Sequence, residues 1–287
     1  MKTYLSKYQD FLIQNGKSNY TVQAYVKDVE QLANSINAVK LKEFNEEGIR
    51  KYFLSLKKSN YDPKSISRKI NSIRSFFRFL KDEGIVKEDP ALNIHHPKIK
   101  ESVPRYLTKE EYTKLRNVCA KDKRTFAMIE LLLQTGMRIG ELCRLKMSDI
   151  RYKSKTKPYA IFIDKYESTP SRTVPLNSAG IEALSEYIES RPTSQKNGFI
   201  FITRSGKPII IRNARTYITR AMKKAKINNA TVNDLRNTFI YHHIKNGMNI
   251  MHLSQIVGHK NLSSTIKYTK IKKKKSNSKS QIILKNL

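Results

Sequence analysis

Three short stretches set polar side chains beside glycine or at the ends of apolar runs, where a fold presents them rather than buries them. They are Thr135-Gly136-Met137-Arg138-Ile139-Gly140-Glu141-Leu142, Asn233-Asp234-Leu235-Arg236-Asn237-Thr238-Phe239, and Gly258-His259 with Tyr268 nine residues later. An arginine is always charged and donates in a fork that matches two phosphate oxygens. A histidine adds a further donor. A tyrosine phenol, poor as a nucleophile at its ordinary pKa of ~10, becomes a better one where cations favour the phenolate. As types, these residues suit phosphoryl transfer without a metal, in which the charge of a five-coordinate phosphorus must be met by positioned cations and donors. Singly, each is weak evidence: an arginine after glycine usually stabilises a helix end, and Tyr268 is one of 15 tyrosines.

The elements that would have to position them differ between the two halves of the chain. Thr108-Lys109-Glu110-Glu111 is a capping box opening a helix through Leu115, and helical signal covers about 123 to 135. Tyr159, Ile161 and Ile163 then alternate as a short strand, with Arg172-Thr173-Val174-Pro175-Leu176 as its hairpin partner. Further strand-like runs are expected at Phe199–Ile202 and Ile209–Ile211 around Gly206, with helices from about 213 onward. The first ~90 residues read as helices throughout. Val22, Val26, Val29, Leu32 and Ile36 form one apolar stripe behind Ser18 as N-cap; Ile49, Tyr52, Phe53 and Leu56 form another, with Asn45 capping and Glu46 and Glu47 in the first turn. Ile66, Ile70, Ile73, Phe77 and Leu80 form the third, while Arg68, Lys69, Arg74 and Arg78 occupy its other faces as candidate DNA contacts, a solvated face being the plain alternative. Periodicity stops between Asn93 and Arg105, where two prolines exclude a continuing helix. The expected organisation is a helical domain over 1–92, a linker over 93–105 and a second domain over 106–287. The fold class is α+β: a helical N-terminal domain and a mainly helical second domain with a small antiparallel sheet.

Lys plus Arg number 56 against 24 Asp plus Glu, a formal charge of +32 over 287 residues. A folded chain so charged repels itself unless it meets a polyanion, so nucleic acid is the expected partner. No apolar run approaches the ~18 residues that would span a bilayer, and Met1-Lys2-Thr3-Tyr4 leads into a mixed polar stretch. A cytoplasmic, nucleoid-associated protein with no membrane partner is expected. The 2 cysteines, Cys119 and Cys143, offer no disulfide framework or metal clip, and His95-His96 and His242-His243 are adjacent pairs that rarely face one ion. Metal catalysis is disfavoured, and no G-x-x-x-x-G-K-[ST] nucleotide loop is present, so no cofactor is expected.

Together and in this order, the three stretches resemble the tyrosine recombinases, or phage integrases, over essentially the whole chain. The T-G-x-R-x-x-E-L box falls on Arg138, the L-R-x-T-F box on Arg236, and the V-G-H box with its downstream tyrosine on His259 and Tyr268. The resemblance implies a core-binding domain followed by a catalytic domain, in an Xer-like or simple transposon-type member. It also implies site-specific cleavage and rejoining of double-stranded DNA through a 3′-phosphotyrosine on Tyr268, by a tetramer on two DNA sites with its C-terminal segment after Lys275 packed on a neighbour. A second recombinase or an accessory factor would be a further partner. A topoisomerase-like relaxing enzyme and a catalytically silent DNA-binding relative are the rival readings.

By the same resemblance a catalytic lysine stands at the mouth of a two-stranded hairpin. Counting forward from Ile163 selects Lys165; counting back from Val174-Pro175-Leu176 lands near Glu167, so the hairpin is about two residues longer than the common pattern, with Lys155 and Lys157 as alternatives. Glu141, one helical turn beyond Arg138, would orient that arginine or the helix end. Most relatives carry histidine where this chain has Asn233, and often another where it has Asn237. Asparagine relays no proton, so position 233 is expected to serve by hydrogen bonding to a phosphate oxygen or by orienting Tyr268.

Overall fold

In a computed structural model of the chain, the described residues are all except 39, 100–102, 155–156, 166–168, 192–197 and 270–287. The backbone divides into two compact units, Met1–Glu101 and Ser102–Leu287.

The first unit consists of helices α1 (Lys2–Gln14), α2 (Asn19–Ser35), α3 (Glu46–Lys58) and α4 (Pro63–Asp82). Ser18 Oγ accepts from Thr21 N at 3.3 Å, Asn45 Oδ1 from Gly48 N at 2.8 Å and Asp62 Oδ1 from Lys64 N at 2.8 Å, satisfying amides that a helix start leaves open. The apolar stripes meet around Tyr8, Leu32, Ile49, Ile70, Ile73, Phe76 and Phe77. One polar cluster crosses this packing. Asp28 on α2 is 2% exposed and accepts from Lys69 Nζ at 2.9 Å, from Ser72 Oγ at 2.8 Å and from both terminal nitrogens of Arg68 on α4. Lys69, itself 5% exposed, is therefore an internal brace and is withdrawn from the candidate DNA contacts. Arg74 is likewise engaged, donating to the carbonyls of Ala91, Leu92 and Ile94 at 3.3, 3.0 and 2.8 Å. Those bonds, with Ala91 and Ile94 in the core, pack the chain onto the first unit past residue 93. Removing one member of a buried ion pair leaves its partner charged in a low dielectric. Asp28→Ala should therefore destabilise the first unit by about 3–5 kcal/mol. Denaturant unfolding of the full chain checks this; an unchanged first transition would count against the brace.

The second unit carries α5 (Lys109–Cys119), α6 (Lys123–Thr135), α7 (Ile139–Arg144), strands β1 (Ile150–Ser154), β2 (Lys157–Ile163) and β3 (Arg172–Pro175), then α8 (Ser178–Glu189), α9 (Ile211–Lys224), α10 (Val232–Lys245), α11 (Ile250–Val257) and the short α12 (Ser263–Ile266). The strands form one antiparallel sheet in the order β1-β2-β3, with Ile161 opposite Val174 and Ile163 opposite Arg172. The capping box at Thr108 and Glu111 is present in both directions, at 3.2 and 3.0 Å. α6 lies at the centre of the core, with Ala127, Met128, Ile129, Leu131 and Leu132 buried, and packs on α8 and α10. The two strand-like runs around Gly206 are not strands. Only single bridges form, Lys146 to Phe199 and Ile202 to Pro208, and Ile211 opens α9. Their apolar residues, including Ile200, Phe201 and Ile209, fill the core, and burial alone accounts for their hydrophobicity. β1, which shows no clean alternation, is an element beyond those expected.

Candidate active site

The C-cap of α6 is Gly136, at φ 62°. A left-handed turn favours glycine, and a Cβ here would drive into the Phe239 ring of α10. The turn leaves Arg138 as N-cap of α7, with its backbone N donating to Glu141 Oε2 at 2.7 Å. Gly258, at φ 68°, ends α11 in the same way, and a Cβ there would lie 2.9 Å from Arg172 Nη1. Gly136 and Gly258 are thus set by backbone conformation and close approach.

Arg138, Arg236 and Tyr268 meet at the turn 257–259, which carries His259, whereas Lys165 and Asn233 do not reach it. Arg138 Nη2 donates to Gly258 O at 3.2 Å, and Arg236 on α10 donates through Nη2 to Val257 O at 2.7 Å and through Nη1 to Gly136 O at 2.6 Å. His259 Nδ1 lies 2.8 Å from Thr265 Oγ1; with the hydroxyl donating, Nε2 carries the ring proton and is the free donor. Tyr268, 3% exposed, packs with Phe239, Leu253 and Val257 and donates from its hydroxyl to Asn237 Oδ1 at 2.6 Å.

The electrostatics are those of a site built for an anion. Burial first, then the charges of Arg138 and Arg172, pull the Arg236 guanidinium down to about 9, still protonated at neutral pH. Burial with Arg236 and Arg138 brings His259 down to about 3, so its imidazole is neutral. The effect on Tyr268 runs against the expectation of a cation-activated phenolate: burial raises its pKa and outweighs the pull of Arg236. Glu141 is pushed up by burial, but the hydrogen bonds and charge of Arg172, helped by Arg138, prevail and hold it ionised.

Two residues were missed by sequence reasoning as members of the site. Arg172 grips Glu141 in a fork, Nη1 to Oε1 at 2.9 Å and Nη2 to Oε2 at 2.8 Å, and donates from Nε to Ile256 O at 2.7 Å. Asn237, noted only as a departure, holds the Tyr268 hydroxyl while its amide donates to Arg105 O and Asp234 Oδ1, both at 3.0 Å. The signal available for Asn237 was its place, where relatives often carry a histidine. Asn233 itself stands exposed on the first turn of α10, and orientation of Tyr268 falls to Asn237 instead.

Lys165 is exposed, two residues past β2, and lines a cleft of ≈ 350 Å³ with Glu141, Arg144, Ile163 and Asp164. Lys157 starts β2; at the ordinary strand rise its backbone lies about 20 Å from Ile163, at the β1–β2 end of the sheet. Lys155 lies outside the described residues, as do Glu167 and the segment after Lys275 with its expected apolar anchor. Among the described residues, no group of three His, Cys, Asp or Glu is arranged to hold a metal, and no helix is long and apolar enough to cross a membrane.

A family model described as "Phage integrase family" matches residues 105–275, and one described as "Phage integrase, N-terminal SAM-like domain" matches residues 5–84. A tyrosine recombinase of Pseudothermotoga lettingae is 33% identical over 275 residues, covering 93% of each chain. Tyrosine recombinase XerC of Bacillus pumilus is 30% identical, over 91% of this chain and 89% of the relative. Among solved structures, the crystal structure of XerA recombinase aligns at 26% identity over 93% of both chains, with a TM-score of 0.52. A lambda integrase dimer bound to a COC′ core site aligns at 18% identity over 99% of this chain and 80% of that one, with a TM-score of 0.78, a likeness of fold.

Proposed function

The chain belongs to the phage integrase family, the tyrosine recombinases, and we propose that it cleaves and rejoins duplex DNA at specific sites through a phosphotyrosine on Tyr268. The observation that carries this reading is the convergence of Arg138 and Arg236, from two helices nearly a hundred residues apart, on the turn that ends in His259 and precedes Tyr268. Each guanidinium has five N–H donors, and the contacts to carbonyls and Glu141 leave several on each for a phosphate.

The chemistry then follows. The Tyr268 oxygen attacks the scissile phosphorus as its proton passes to water, Arg138, Arg236 and the Nε2–H of His259 meet the charge on the non-bridging oxygens, and the 5′ oxygen takes a proton from Lys165 and departs as an alcohol. A 3′-phosphotyrosine remains. Because it keeps the energy of the broken diester, attack by a different 5′ hydroxyl reverses the step on a new strand without ATP. Positioned donors are the main requirement, since burial, against the pull of Arg236, holds the nucleophile protonated until attack. The test is a nicked duplex: after denaturation the protein should remain bound to a 3′ end, and wild-type protein with no such adduct on any site sinks the reading.

Lys165 supplies the proton to the departing oxygen in this scheme, supported by its place at the hairpin exit beside the Glu141 cleft. A sulfur at the bridging 5′ position leaves without a proton. Lys165→Ala should therefore cleave the ordinary linkage roughly 10²-fold or more slowly and the thiolate nearly as fast as wild type. Rescue confined to Lys157→Ala or Lys155→Ala would reassign the role.

DNA affinity comes in this reading from the excess of cations, the exposed Arg78 among them in the first unit. A solved lambda integrase tetramer is bound to a Holliday junction, and the same fold in this chain supports four protomers acting on two sites.

A further inference from the structure

Arg172 stands on β3, opposite the last residue of β2, at the root of the loop that carries Lys165. Its side chain is 6% exposed and its three nitrogens are all engaged, two with Glu141 and one with Ile256 O. Glu141, with a side chain 2% exposed, has four donors on its two oxygens: both terminal nitrogens of Arg172, the backbone N of Arg138 at 2.7 Å and Arg138 Nη1 at 3.4 Å. Arg138, by contrast, is 41% exposed, and its remaining polar tie is to Gly258 O. The chain of contacts thus runs from a sheet strand, through a buried carboxylate, to the exposed guanidinium of Arg138.

We infer that Arg172 is a positioning residue for cleavage, holding Arg138 in place for the phosphate through Glu141. A carboxylate facing one exposed arginine can swing between rotamers. The same carboxylate gripped from behind by a fork cannot, and its second oxygen is then fixed where the α7 N-cap and the Arg138 guanidinium meet it. Arg172 also seals the back of the site. Its Nη1 lies 2.9 Å from where a Cβ on Gly258 would be, so the glycine before His259 leaves the room that the guanidinium occupies. This role rests on the reading of Arg138 as a phosphate ligand.

Single-turnover cleavage of a nicked duplex tests it. Arg172→Ala should bind DNA as tightly as wild type and cleave about 10- to 100-fold more slowly, the range for losing the partner that orients a reacting group. Arg172→Lys keeps one charge on Glu141 and should recover part of that loss, which a purely structural role would not predict for proteins melting alike. The deciding measurement is the double variant: with Arg138 already removed, nothing remains to position, so Arg138→Ala/Arg172→Ala should be no more than about threefold slower than Arg138→Ala alone. Multiplying effects, or wild-type cleavage by Arg172→Ala, overturn the inference. If Arg172→Ala fails to fold, Glu141→Gln keeps the shape, weakens both ion pairs and must show the same non-additivity with Arg138→Ala. Should Arg138→Ala cleave normally, the phosphate-ligand reading itself fails; should it be slow while Arg172→Ala is not, only the positioning role does.

Discussion

Tyr268→Phe is expected to bind DNA with wild-type affinity and to form no covalent adduct, a loss of at least about 10⁴-fold in cleavage. The substitution removes one oxygen. The ring remains wedged among Phe239, Leu253 and Val257, so the 257–259 turn keeps its packing and both arginines keep their carbonyl partners. What is lost is one hydrogen bond to Asn237, about 1 kcal/mol, which a melting curve should register as a small shift at most. Affinity rests on many cations, and deleting a neutral phenol leaves them untouched. An adduct from the purified phenylalanine variant on a nicked site would move the nucleophile to another tyrosine and sink the assignment.

The site motifs were legible in the sequence because glycine marks them. Gly136 and Gly258 sit at φ 62° and φ 68° against Phe239 and Arg172, places where no other residue fits, and the polar residues beside them are those the turns present. α2 and α3 were legible because each stripe coincides with a cap, Ser18 and Asn45 accepting from the backbone amides expected of them; α4 showed as a stripe alone, and its cap, Asp62, was not anticipated. What failed did so for one physical reason. Period and propensity report burial, and burial has more than one cause. Ile200, Phe201 and Ile209 are apolar because they fill the core from bridges and turns rather than strands, and Lys69 lies on a polar face by spacing yet inside by virtue of Asp28, forty-one residues away.

Arg172 and Asn237 show the same limit on the chemical side. Both act through partners distant in sequence, Glu141 and Ile256 for one, Tyr268 and Arg105 for the other, and no local spacing announces such pairs. The departure at Asn233 drew attention to the helix whose next turn carries Asn237. A neutral amide oxygen at position 237 accepts the phenol proton's hydrogen bond without being able to take the proton, which agrees with a nucleophile kept protonated until the phosphate is in place.

Arg236→Ala should have the second-largest effect, cleavage slowed by roughly 10²- to 10³-fold, the cost of one preorganised donor to a developing charge. Unlike Arg138, Arg236 is 8% exposed and bridges the C-terminus of α6 to that of α11 through Gly136 O and Val257 O, so its loss carries a structural component as well. Two buried carbonyls lose their donor, a penalty of about 1–3 kcal/mol each, while the cost of burying the guanidinium and its repulsion from Arg138 and Arg172 are relieved. These oppose one another in stability but not in catalysis, where both remove positive charge and alignment from the phosphate. Arg236→Lys separates the contributions: it restores the charge but not the fork, and one ammonium cannot serve Gly136 O, Val257 O and a phosphate together. It should therefore recover stability more than rate. Single-turnover rates on the nicked duplex and denaturant unfolding measure both. A wild-type rate for Arg236→Ala would reduce Arg236 to a brace between two helix ends and leave Arg138 and His259 to hold the phosphate.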